Sequence, residues 1–408
     1  MTQIVIIGSG PTGATLALLL VKQGIKVKLI EASHNFERLF RGEGLMPSGL
    51  DALEQMDLLK LLIDIPHQTI DAWDFLLSGK SLFRVDEPIE TNGKPCTTVS
   101  QPHLLKKIIE QANNYPQFEF ISGEAVKDIL KSDRVEGVIL ASGEEIAADL
   151  IIAADGRNSI IRNKAGINLT KLHNSIDILW FKLDSGKLAE TKNTFYSIIK
   201  GRNAFGLFRG SQGKFHLGWG LHADDDCDWK EIDWAKKLID TSPAWLAEHI
   251  QTHRESLTKP MLLSVIVGRC DRWSIPGLLL LGDAVHPMSP IRAQGINMAF
   301  RDTIVAANHL VPLLIQPNVN HQQIDSILPL IQKEREPEII RIQKLQAQEM
   351  AQAELLHNSA FVRWGAKTFT TIIRPGIRAS WLRRQKQLRQ GVTKVKLTVG
   401  NYRVTDSG

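Results

Sequence analysis

The sequence predicts an α/β fold that combines a parallel sheet, an inserted mixed or antiparallel β-sheet and a set of C-terminal helices. At the N-terminus, an apolar β-branched run at residues 4–7 is followed by a helical pattern at 14–23 and a second strand pattern at 26–31. A strand, a helix and a strand in this order form a βαβ unit with parallel strands. Residues 175–270 hold many aromatics in short strand-like runs, and the chain after Gly295 is mostly helical to about residue 390.

The elements between these parts follow from local periodicity. Residues 46–63 carry an amphipathic helical pattern, 70–98 hold short strand-like runs, and 100–114 carry a second helical pattern. Residues 118–154 predict a strand, a β-meander and a final apolar strand. One helix, at about 231–252, is expected to interrupt the inserted sheet.

Composition and cysteine usage favour a cytoplasmic protein. With 43% hydrophobic residues, the 408-residue chain has the composition of a globular protein. Cys96, Cys227 and Cys270 are widely separated and odd in number, which argues against a disulfide framework or zinc site and for a reducing compartment. The N-terminus enters a strand at once, so no signal peptide is expected, and no apolar run reaches the roughly 18 residues of a membrane span.

The net charge of +5 is unevenly distributed. Residues 363–408 hold 11 Lys and Arg against the single acid Asp406, a local balance of +10, so the remaining chain sums to about −5. Such a basic segment is a candidate for peripheral contact with anionic lipid, but more often it is a solvated helix face that packs its Trp and Leu side chains on the body. No nucleic-acid-binding motif accompanies it, so nucleic acid is not expected as a partner.

The turn after the first strand is a GxGxxG motif, Gly8-Ser9-Gly10-Pro11-Thr12-Gly13. The first glycine permits the tight turn, the second lets the backbone approach a pyrophosphate, and the third allows close packing of helix and sheet. The helix N-terminus offers N–H groups and a partial positive charge to phosphates. Glu31, at the end of the second strand, is suited to accept hydrogen bonds from ribose hydroxyls. The motif predicts a Rossmann-like dinucleotide site, but alone it does not separate FAD from NAD.

A second motif follows the apolar strand in "DLIIAADGRNSIIR". Asp155-Gly156 lies at the strand end, and Ser159 and Arg162 are one helical turn apart. Taken alone, this stretch is equally consistent with a strand end, a turn and a helix that Asp155 caps.

A third motif lies in "LLLLGDAVHPMSPIRAQGINMAF". Gly282-Asp283 follows a strand of four leucines, and the Asp283 carboxylate there is suited to bind the hydroxyls of a ribityl chain. Pro290 is rigid and apolar, suited to lie against a flat ring. Gly295, Ile296 and Asn297 open a helix whose N–H groups are suited to stabilise negative charge on that ring. The arrangement fits a flavin, whose reduced form carries negative charge at its pyrimidine edge.

In this order and at these spacings, the three motifs resemble those of the aromatic-hydroxylase family of flavoprotein monooxygenases, of the p-hydroxybenzoate hydroxylase type. The resemblance covers about residues 1–345. It implies a glutathione-reductase-type FAD domain in which all three motifs hold one FAD, and no separate NAD(P)H domain.

The resemblance also implies roles for individual positions. Arg41 matches a family arginine near the pyrophosphate and the mobile flavin, Gln101 a position that contacts the cofactor, and Val126 a residue with backbone contacts to adenine. Asp283 would bind the ribitol, and residues 293–297 would meet the isoalloxazine edge. The complete predicted cofactor-binding set is Gly8, Gly10, Pro11, Thr12, Gly13, Glu31, Ala32, Arg41, Gln101, Val126, Asp155, Gly156, Gly282, Asp283, Pro290, Ala293, Gly295, Ile296 and Asn297.

The chain departs from the family pattern at one place in the third motif. The family usually has glycine where this chain has Ala293, and a small residue where it has Arg292. The larger side chains would narrow the space where oxygen meets the flavin, or Arg292 would help to bind an anionic substrate. Pro290 and Arg292 are therefore the candidate catalytic residues of this pocket.

The implied activity is that of a FAD-dependent monooxygenase. NADPH or NADH would reduce the FAD, and a C4a-hydroperoxyflavin would transfer one oxygen atom of O2 to an aromatic or polycyclic small molecule. The protein would act mainly by positioning and electrostatics, with no metal. His286 is expected to be a structural partner of the loop. Substrate-binding candidates in the inserted sheet are Trp180, Arg209, His216 and Trp219.

These assignments divide the chain into three predicted domains. Residues 1–70, 99–172 and 272–345 form a discontinuous FAD-binding domain, 71–98 and 173–271 form a substrate-binding β-sheet domain, and 346–408 form a C-terminal helical basic region. The protein is expected to be a monomer or a homodimer.

Other functions remain open on sequence grounds. A flavin-dependent reductase of a polyprenyl-type substrate shares the dinucleotide motif, and a non-catalytic flavin redox sensor would also bind FAD. A tryptophan-type halogenase would need a WxWxIP segment, but here Asp271 replaces the first Trp of "DRWSIP". An NAD-dependent dehydrogenase would leave Asp155 and Asp283 unexplained.

Overall fold

A computed structural model describes residues 2–34, 43–91, 93–172, 176–222 and 228–400 of the chain. Within these ranges, every helix is too short or too polar to cross a lipid bilayer.

The strands are numbered in chain order. They are β1 Gln3–Ile7, β2 Lys26–Glu31, β3 Gly44–Leu45, β4 His67–Thr69, β5 Ala72–Leu77, β6 Lys80–Asp86, β7 Thr97–Val99, β8 Phe118–Ser122, β9 Val126–Lys131, β10 Val135–Leu140, β11 Glu145–Ala147, β12 Leu150–Ala153, β13 Leu169–Lys171, β14 Asp177–Leu183, β15 Thr194–Lys200, β16 Asn203–Arg209, β17 Phe215–Leu221, β18 Met261–Leu263, β19 Gly268–Cys270, β20 Ser274–Ile275 and β21 Leu278–Leu280.

The α-helices are numbered in the same way. They are α1 Pro11–Val21, α2 Pro47–Gln55, α3 Gln101–Ala112, α4 Ile160–Lys164, α5 Trp234–Thr241, α6 Ala244–Thr252, α7 Gln294–Leu314, α8 His321–Asn358, α9 Ala360–Thr368 and α10 Thr370–Gln390.

The first large sheet has the strand order β20-β21-β12-β1-β2-β8 and is parallel except for β20. Almost all of β1 and the whole of β12 and β21 are buried, as expected for parallel strands covered on both faces. Helix α1 packs against α3 and α7, while β10 of the meander β9–β11 packs against β12. Because β1, β2, β12 and β21 run in one direction, the loops that follow them meet at one sheet edge.

The second large sheet has the order β18-β14-β17-β16-β15-β5-β6 and is antiparallel except where β5 pairs with β15. One face packs on α5 and α6 through a buried cluster that includes Leu179, Phe181 and Trp219. The other face carries an aromatic cluster that includes Trp73 and receives Trp381 from α10.

Several sequence expectations need adjustment at element ends. The helix expected at 231–252 is two helices, because Pro243 lacks the N–H that would continue the first one. The helical pattern at 46–63 ends as an α-helix at Gln55 and resumes as a 3-10 helix over Leu59–Asp64. The chain after Gly295 is mostly helical to Gln390, as predicted, with a connection between Leu314 and His321.

The sheets are arranged consistently with the predicted domains, although the division itself stays a prediction. Strands of the first sheet lie within 1–70, 99–172 and 272–345, and those of the second within 71–98 and 173–271. Helix α8 crosses the boundary at residue 346 without a break.

The basic C-terminal helix α10 is anchored on the body. Trp381 is 3% exposed and Leu388 is fully buried. Arg389 is 1% exposed and binds two carboxylates after β6, with Nη2 2.7 Å from Glu87 Oε2 and Nε 2.9 Å from Glu90 Oε1. In this half of the basic segment, Trp381 and Leu388 therefore pack on the body, as expected for a solvated helix face that buries its apolar side chains.

Candidate active site

The GxGxxG turn is held by two close backbone approaches. Gly8 has φ +93°, and a Cβ there would lie 2.4 Å from Ala154 O. A Cβ on Gly13 would lie 1.9 Å from Gly8 O, so only glycine fits. Helix α1 begins at Pro11 without a side-chain cap, which leaves its N-terminal dipole for an anionic ligand.

Glu31 lies beside this turn at the end of β2. It is 3% exposed, and its Oε2 accepts hydrogen bonds from Ser9 N at 2.9 Å and Ser9 Oγ at 2.8 Å. Its Oε1 accepts from Ser33 N at 3.0 Å, and Ala32 is exposed. The predicted ribose acceptor is thus held against the glycine turn.

Asp155 follows β12 and has an unsatisfied oxygen. Its Oδ2 accepts from Ile161 N at 3.2 Å, while its buried Oδ1 has no hydrogen-bond partner within the described ranges. Burial raises the pKa of this carboxyl. The N-cap residue of α4 is Ser159, which accepts from Arg162 N at 2.9 Å, so the expectation of Asp155 as the N-cap residue is wrong, although Asp155 also binds an N–H of the first turn. A buried acceptor without a donor fits a bound group that carries hydroxyls.

The third motif touches the first. Gly282 has φ +61°, and a Cβ there would lie 2.4 Å from Thr12 Oγ1. The next residue, Asp283, is exposed, and its Oδ1 lies 3.6 Å from where a Cβ on Gly295 would be. The first and second motifs meet where Gly8 approaches Ala154. The three motifs therefore form one cradle, which fits a dinucleotide such as FAD.

The loop before α7 has two consecutive left-handed residues, Arg292 at φ 58° and Ala293 at φ 50°. This conformation costs about 1 kcal/mol or more per non-glycine residue and persists where the surroundings enforce it. Asn297 is fully buried and ties the loop to β3, because its Nδ2 donates to Ala293 O at 2.6 Å and its Oδ1 accepts from Met46 N at 2.9 Å. The Asn297 side chain is thus occupied by backbone groups.

Arg292 points toward the second sheet. Its Nη2 donates to Glu349 Oε2 at 3.1 Å, and its Cζ lies 5.0 Å from the Trp73 ring centroid and 5.3 Å from that of Trp381. This guanidinium links the loop, α8, α10 and β5. Pro290 begins the same loop and is partly buried.

A row of rings crosses the second sheet from Trp73. Ring centroids are 4.9 Å apart for Trp73–Phe195, 5.6 Å for Phe195–Phe208, 5.5 Å for Phe208–His216 and 5.7 Å for His216–Trp180. We call these five residues the aromatic row. It begins beside Arg292 of the loop before α7 and contains two predicted substrate residues, Trp180 and His216.

The other two predicted substrate residues lie elsewhere. Trp219 follows His216 by three positions on β17, so it lies on the face of the sheet opposite to the aromatic row. Its ring centroid is 5.4 Å from that of Trp234 in α5. Arg209 donates to Gln68 Oε1 at 2.8 Å and to the carbonyls of Leu188, Ala189 and Thr191. Its guanidinium is engaged in holding loops together.

Glu43, directly before β3, reaches the second sheet near the aromatic row. It was not among the residues predicted from the sequence. Its Oε2 accepts from Ser211 N at 2.8 Å. A Cβ on Gly210 would lie 3.0 Å from that oxygen and 2.7 Å from His216 Nε2, so both groups lie close against Gly210. Burial raises the pKa of Glu43, whereas burial and, to a smaller extent, Lys182 lower the pKa of His216 to about 4. The only sequence signal for a role of Glu43 was its place in "LFRGEGL", two residues after Arg41.

The remaining predicted cofactor positions lie around the first sheet. Gln101 is buried at the first residue of α3, and Val126 is the first residue of β9 and is 5% exposed. Arg41 lies outside the described residues.

His286 belongs to a buried charge network behind the loop. Its Nε2 lies 2.7 Å from Asp302 Oδ2, and Arg335 Nε donates to Asp302 Oδ1 at 2.7 Å. Arg335 also pairs with Glu338, which accepts from Arg301 at 2.8 Å. The network supports the predicted structural role of His286 and joins α7 to α8.

Comparisons with known proteins agree with this geometry. A sequence model of the family described as FAD binding domain matches residues 1–316. The chain is 29% identical to 6-methylpretetramide 4-monooxygenase of Streptomyces rimosus, over 86% of this chain and 84% of that protein. It is 25% identical to p-hydroxybenzoate hydroxylase of Acinetobacter baylyi, over 77% and 78% respectively.

Solved structures share the fold. p-Nitrophenol 4-monooxygenase PnpA from Pseudomonas putida matches with a TM-score of 0.75 at 17% identity, covering 96% of this chain and all of that one. PqsL of Pseudomonas aeruginosa, in complex with 2-aminobenzoylacetate, matches with a TM-score of 0.73 at 18% identity, covering 88% and 97%.

Proposed function

Because the chain belongs to the FAD-binding-domain family of flavoprotein aromatic hydroxylases, we propose that it hydroxylates an aromatic or polycyclic small molecule held along the aromatic row. The protein is a FAD-dependent monooxygenase that uses NAD(P)H and O2. When bound, FAD supplies the redox chemistry that takes electrons from NAD(P)H and activates O2.

The observation that carries this proposal is the contact between the cradle and the aromatic row. Arg292 of the third motif lies 5.0 Å from Trp73, the first ring of the row. A flat substrate on the row would therefore lie beside the loop that meets the flavin ring. A multi-ring substrate suits a row of five rings, and the 29% identical relative is named for a 6-methylpretetramide substrate.

The chain's own residues would bind and orient the cofactor. The N-terminus of α1 would hold the pyrophosphate, Glu31 the ribose and Asp283 the ribityl hydroxyls. The first N–H groups of α7, near Gly295, would stabilise negative charge at the flavin edge. Arg41, Gln101 and Val126 keep the cofactor-binding roles proposed for them.

His216 and Glu43 would orient and deprotonate the substrate. Because its pKa is about 4, His216 is neutral at physiological pH, and its imidazole is suited to bind a phenolic hydroxyl. Glu43 lies against the same glycine, Gly210, and would take up the phenolic proton, directly or through a water molecule. A phenolate is the more electron-rich and hence the more reactive form of such a substrate.

The test is a product assay with isotopically labelled O2 on the FAD-loaded enzyme, with mono- and polycyclic phenols as substrates. We expect one labelled oxygen atom in the product for each NAD(P)H consumed. His216→Asn should lower kcat/KM by at least about tenfold, and Trp219→Phe, on the opposite face, should not. Product without label, or a reduced product from a polyprenyl substrate, would contradict the proposal.

A further inference from the structure

Four large apolar side chains form an exposed patch where α9 meets α10. Phe361 is 77% exposed, Trp364 55%, Phe369 46% and Ile372 77%. The rings are neighbours, with centroids 5.8 Å apart for Phe361–Trp364 and 6.0 Å for Trp364–Phe369. We call these four residues the aromatic patch. A contiguous apolar patch of this kind marks an interaction site, whereas single exposed apolar residues do not.

The patch is displayed on a well-supported segment. Ser359 caps α9 by accepting from Val362 N at 3.2 Å. Arg363 Nη1 donates to the carbonyls of Leu356 at 2.7 Å and His357 at 2.6 Å, at the end of α8. The far half of α10 is fixed on the body through Trp381 and Arg389. The apolar side chains therefore stay exposed although the helices that carry them are anchored.

The segment that carries the patch has charged side chains of one sign only. Residues 355–405 contain no Asp or Glu. Lys367, Arg374 and Arg378 are exposed in the same segment as the patch. Exposed aromatic and aliphatic side chains combined with cations and without acids are typical of segments that lie on anionic lipid surfaces.

We propose that the aromatic patch docks on an anionic lipid surface, with Phe361, Trp364 and Ile372 entering the headgroup boundary. Lys367, Arg374 and Arg378 would contact the lipid phosphates. A second copy of the chain is a poorer partner, because a two-fold interface sets the same patch against itself. Such an interface would bring these cations toward their counterparts, with no acid in the segment to balance them.

The structure also determines which variants are informative. A deletion of residues 375–408 would remove Trp381 and Arg389, which anchor α10 on the second sheet, and would destabilise the fold. Substitutions in the patch avoid this problem because the side chains are exposed. Ile63, which is 80% exposed on the 3-10 helix Leu59–Asp64, provides a matched control for an exposed apolar residue.

The experiment is co-sedimentation of the full-length, FAD-loaded protein with vesicles of phosphatidylcholine, with and without phosphatidylglycerol. We expect binding only to the anionic vesicles and a weakening with added salt. Phe361→Ser/Trp364→Ser/Ile372→Ser and, separately, Lys367→Gln/Arg374→Gln/Arg378→Gln should each lower the vesicle partition coefficient by at least about tenfold. Ile63→Ser should bind as the wild type does, and all variants should retain FAD.

Two results would overturn the proposal. One is the absence of vesicle binding by the wild type at low salt. The other is a concentration-dependent dimer in size-exclusion chromatography with light scattering that the serine variant converts to a monomer, because the patch would then serve a second copy.

Discussion

Gly13 has no room for a side chain, because a Cβ would lie 1.9 Å from Gly8 O, a backbone atom of the same turn. Neither strand β1 nor helix α1 can shift without disturbing the first sheet. We therefore expect Gly13→Ala to open the turn and raise the Kd for FAD at least about tenfold, which corresponds to about 1.4 kcal/mol. The measurement is a flavin fluorescence titration of the apoprotein.

Gly376→Ala is the matched control for this glycine. Gly376 lies exposed in α10, and a Cβ there would meet no other atom within 4 Å. The substitution should leave FAD affinity unchanged and stabilise the helix by about 0.5–1 kcal/mol. Equal FAD affinities of Gly13→Ala and wild type would mean that the turn does not hold the cofactor.

His216 gives the protein a specific sensitivity to acid. Its pKa is lowered from 6.5 to about 4 in the folded state, so the unfolded chain binds its proton first. Stability is therefore highest above pH 6.5 and falls as the pH falls toward 4. Between about pH 7 and pH 5 this residue should account for about 2 kcal/mol of lost stability.

Urea unfolding of His216→Asn tests this assignment. The variant should lose about 2 kcal/mol less than the wild type over the same pH range. His67→Asn, which removes an exposed imidazole, should behave like the wild type. If the three proteins show the same pH dependence, His216 is not buried in its neutral form.

Residues whose role is local were predictable from the sequence, and residues whose role depends on pairing register were not. The glycines of the GxGxxG turn and Glu31 follow from a motif of adjacent residues. Trp219 and His216 are both on β17 three positions apart, so they lie on opposite faces, and only one belongs to the aromatic row. Glu43 could not be found because its partners on the second sheet are more than 160 residues away in the chain.

At the scale of elements, α7 and α8 are joined by the buried network around Glu338. Burial would raise the pKa of Glu338, but Arg335 and Arg301 hold it at about 2. Because this pKa is below the unfolded value of 4.5, the carboxylate stabilises the fold above pH 4.5, and this contribution is lost as the pH falls toward 2. The lowered pKa corresponds to about 3 kcal/mol.

We expect Glu338→Gln to destabilise the protein by about 3–5 kcal/mol at neutral pH, because buried Arg301 loses its carboxylate partner and buried Arg335 keeps only Asp302. Glu334→Gln on the same helix is the control. Glu334 is half exposed, and its partner is His309 at 2.9 Å, so its loss should cost less than about 1 kcal/mol. Similar unfolding midpoints in urea for the two variants would show that the network does not join these helices.

Most secondary-structure elements could be predicted from the sequence, whereas most of the tertiary contacts between them could not. Apolar periodicity located β1, α1 and β2, and the helical stretch after Gly295. Pro243 divided a predicted helix because a missing N–H breaks a helix that periodicity alone would continue. The network of α7 and α8 depends on charges that are far apart in the chain and gave no local pattern.

For the whole molecule, the main structural result is that α10 returns to the second sheet and packs against the loop before α7. The Trp381 ring centroid lies 5.4 Å from that of Phe75 and 5.3 Å from Arg292 Cζ. The helical pattern of this segment predicted a helix but not its position, since the contacts join Trp381 to residues 306 and 89 positions earlier in the chain. Cofactor cradle, aromatic row and C-terminal helix thus meet around one loop.

The most direct test of the central claim is a visible absorption spectrum of the purified protein, followed by anaerobic addition of NADPH or NADH in the same cuvette. We expect a bound oxidised flavin spectrum that bleaches with reductant, and faster bleaching when a substrate phenol is present. A colourless protein that also fails to take up added FAD would mean that the three motifs do not form a flavin site.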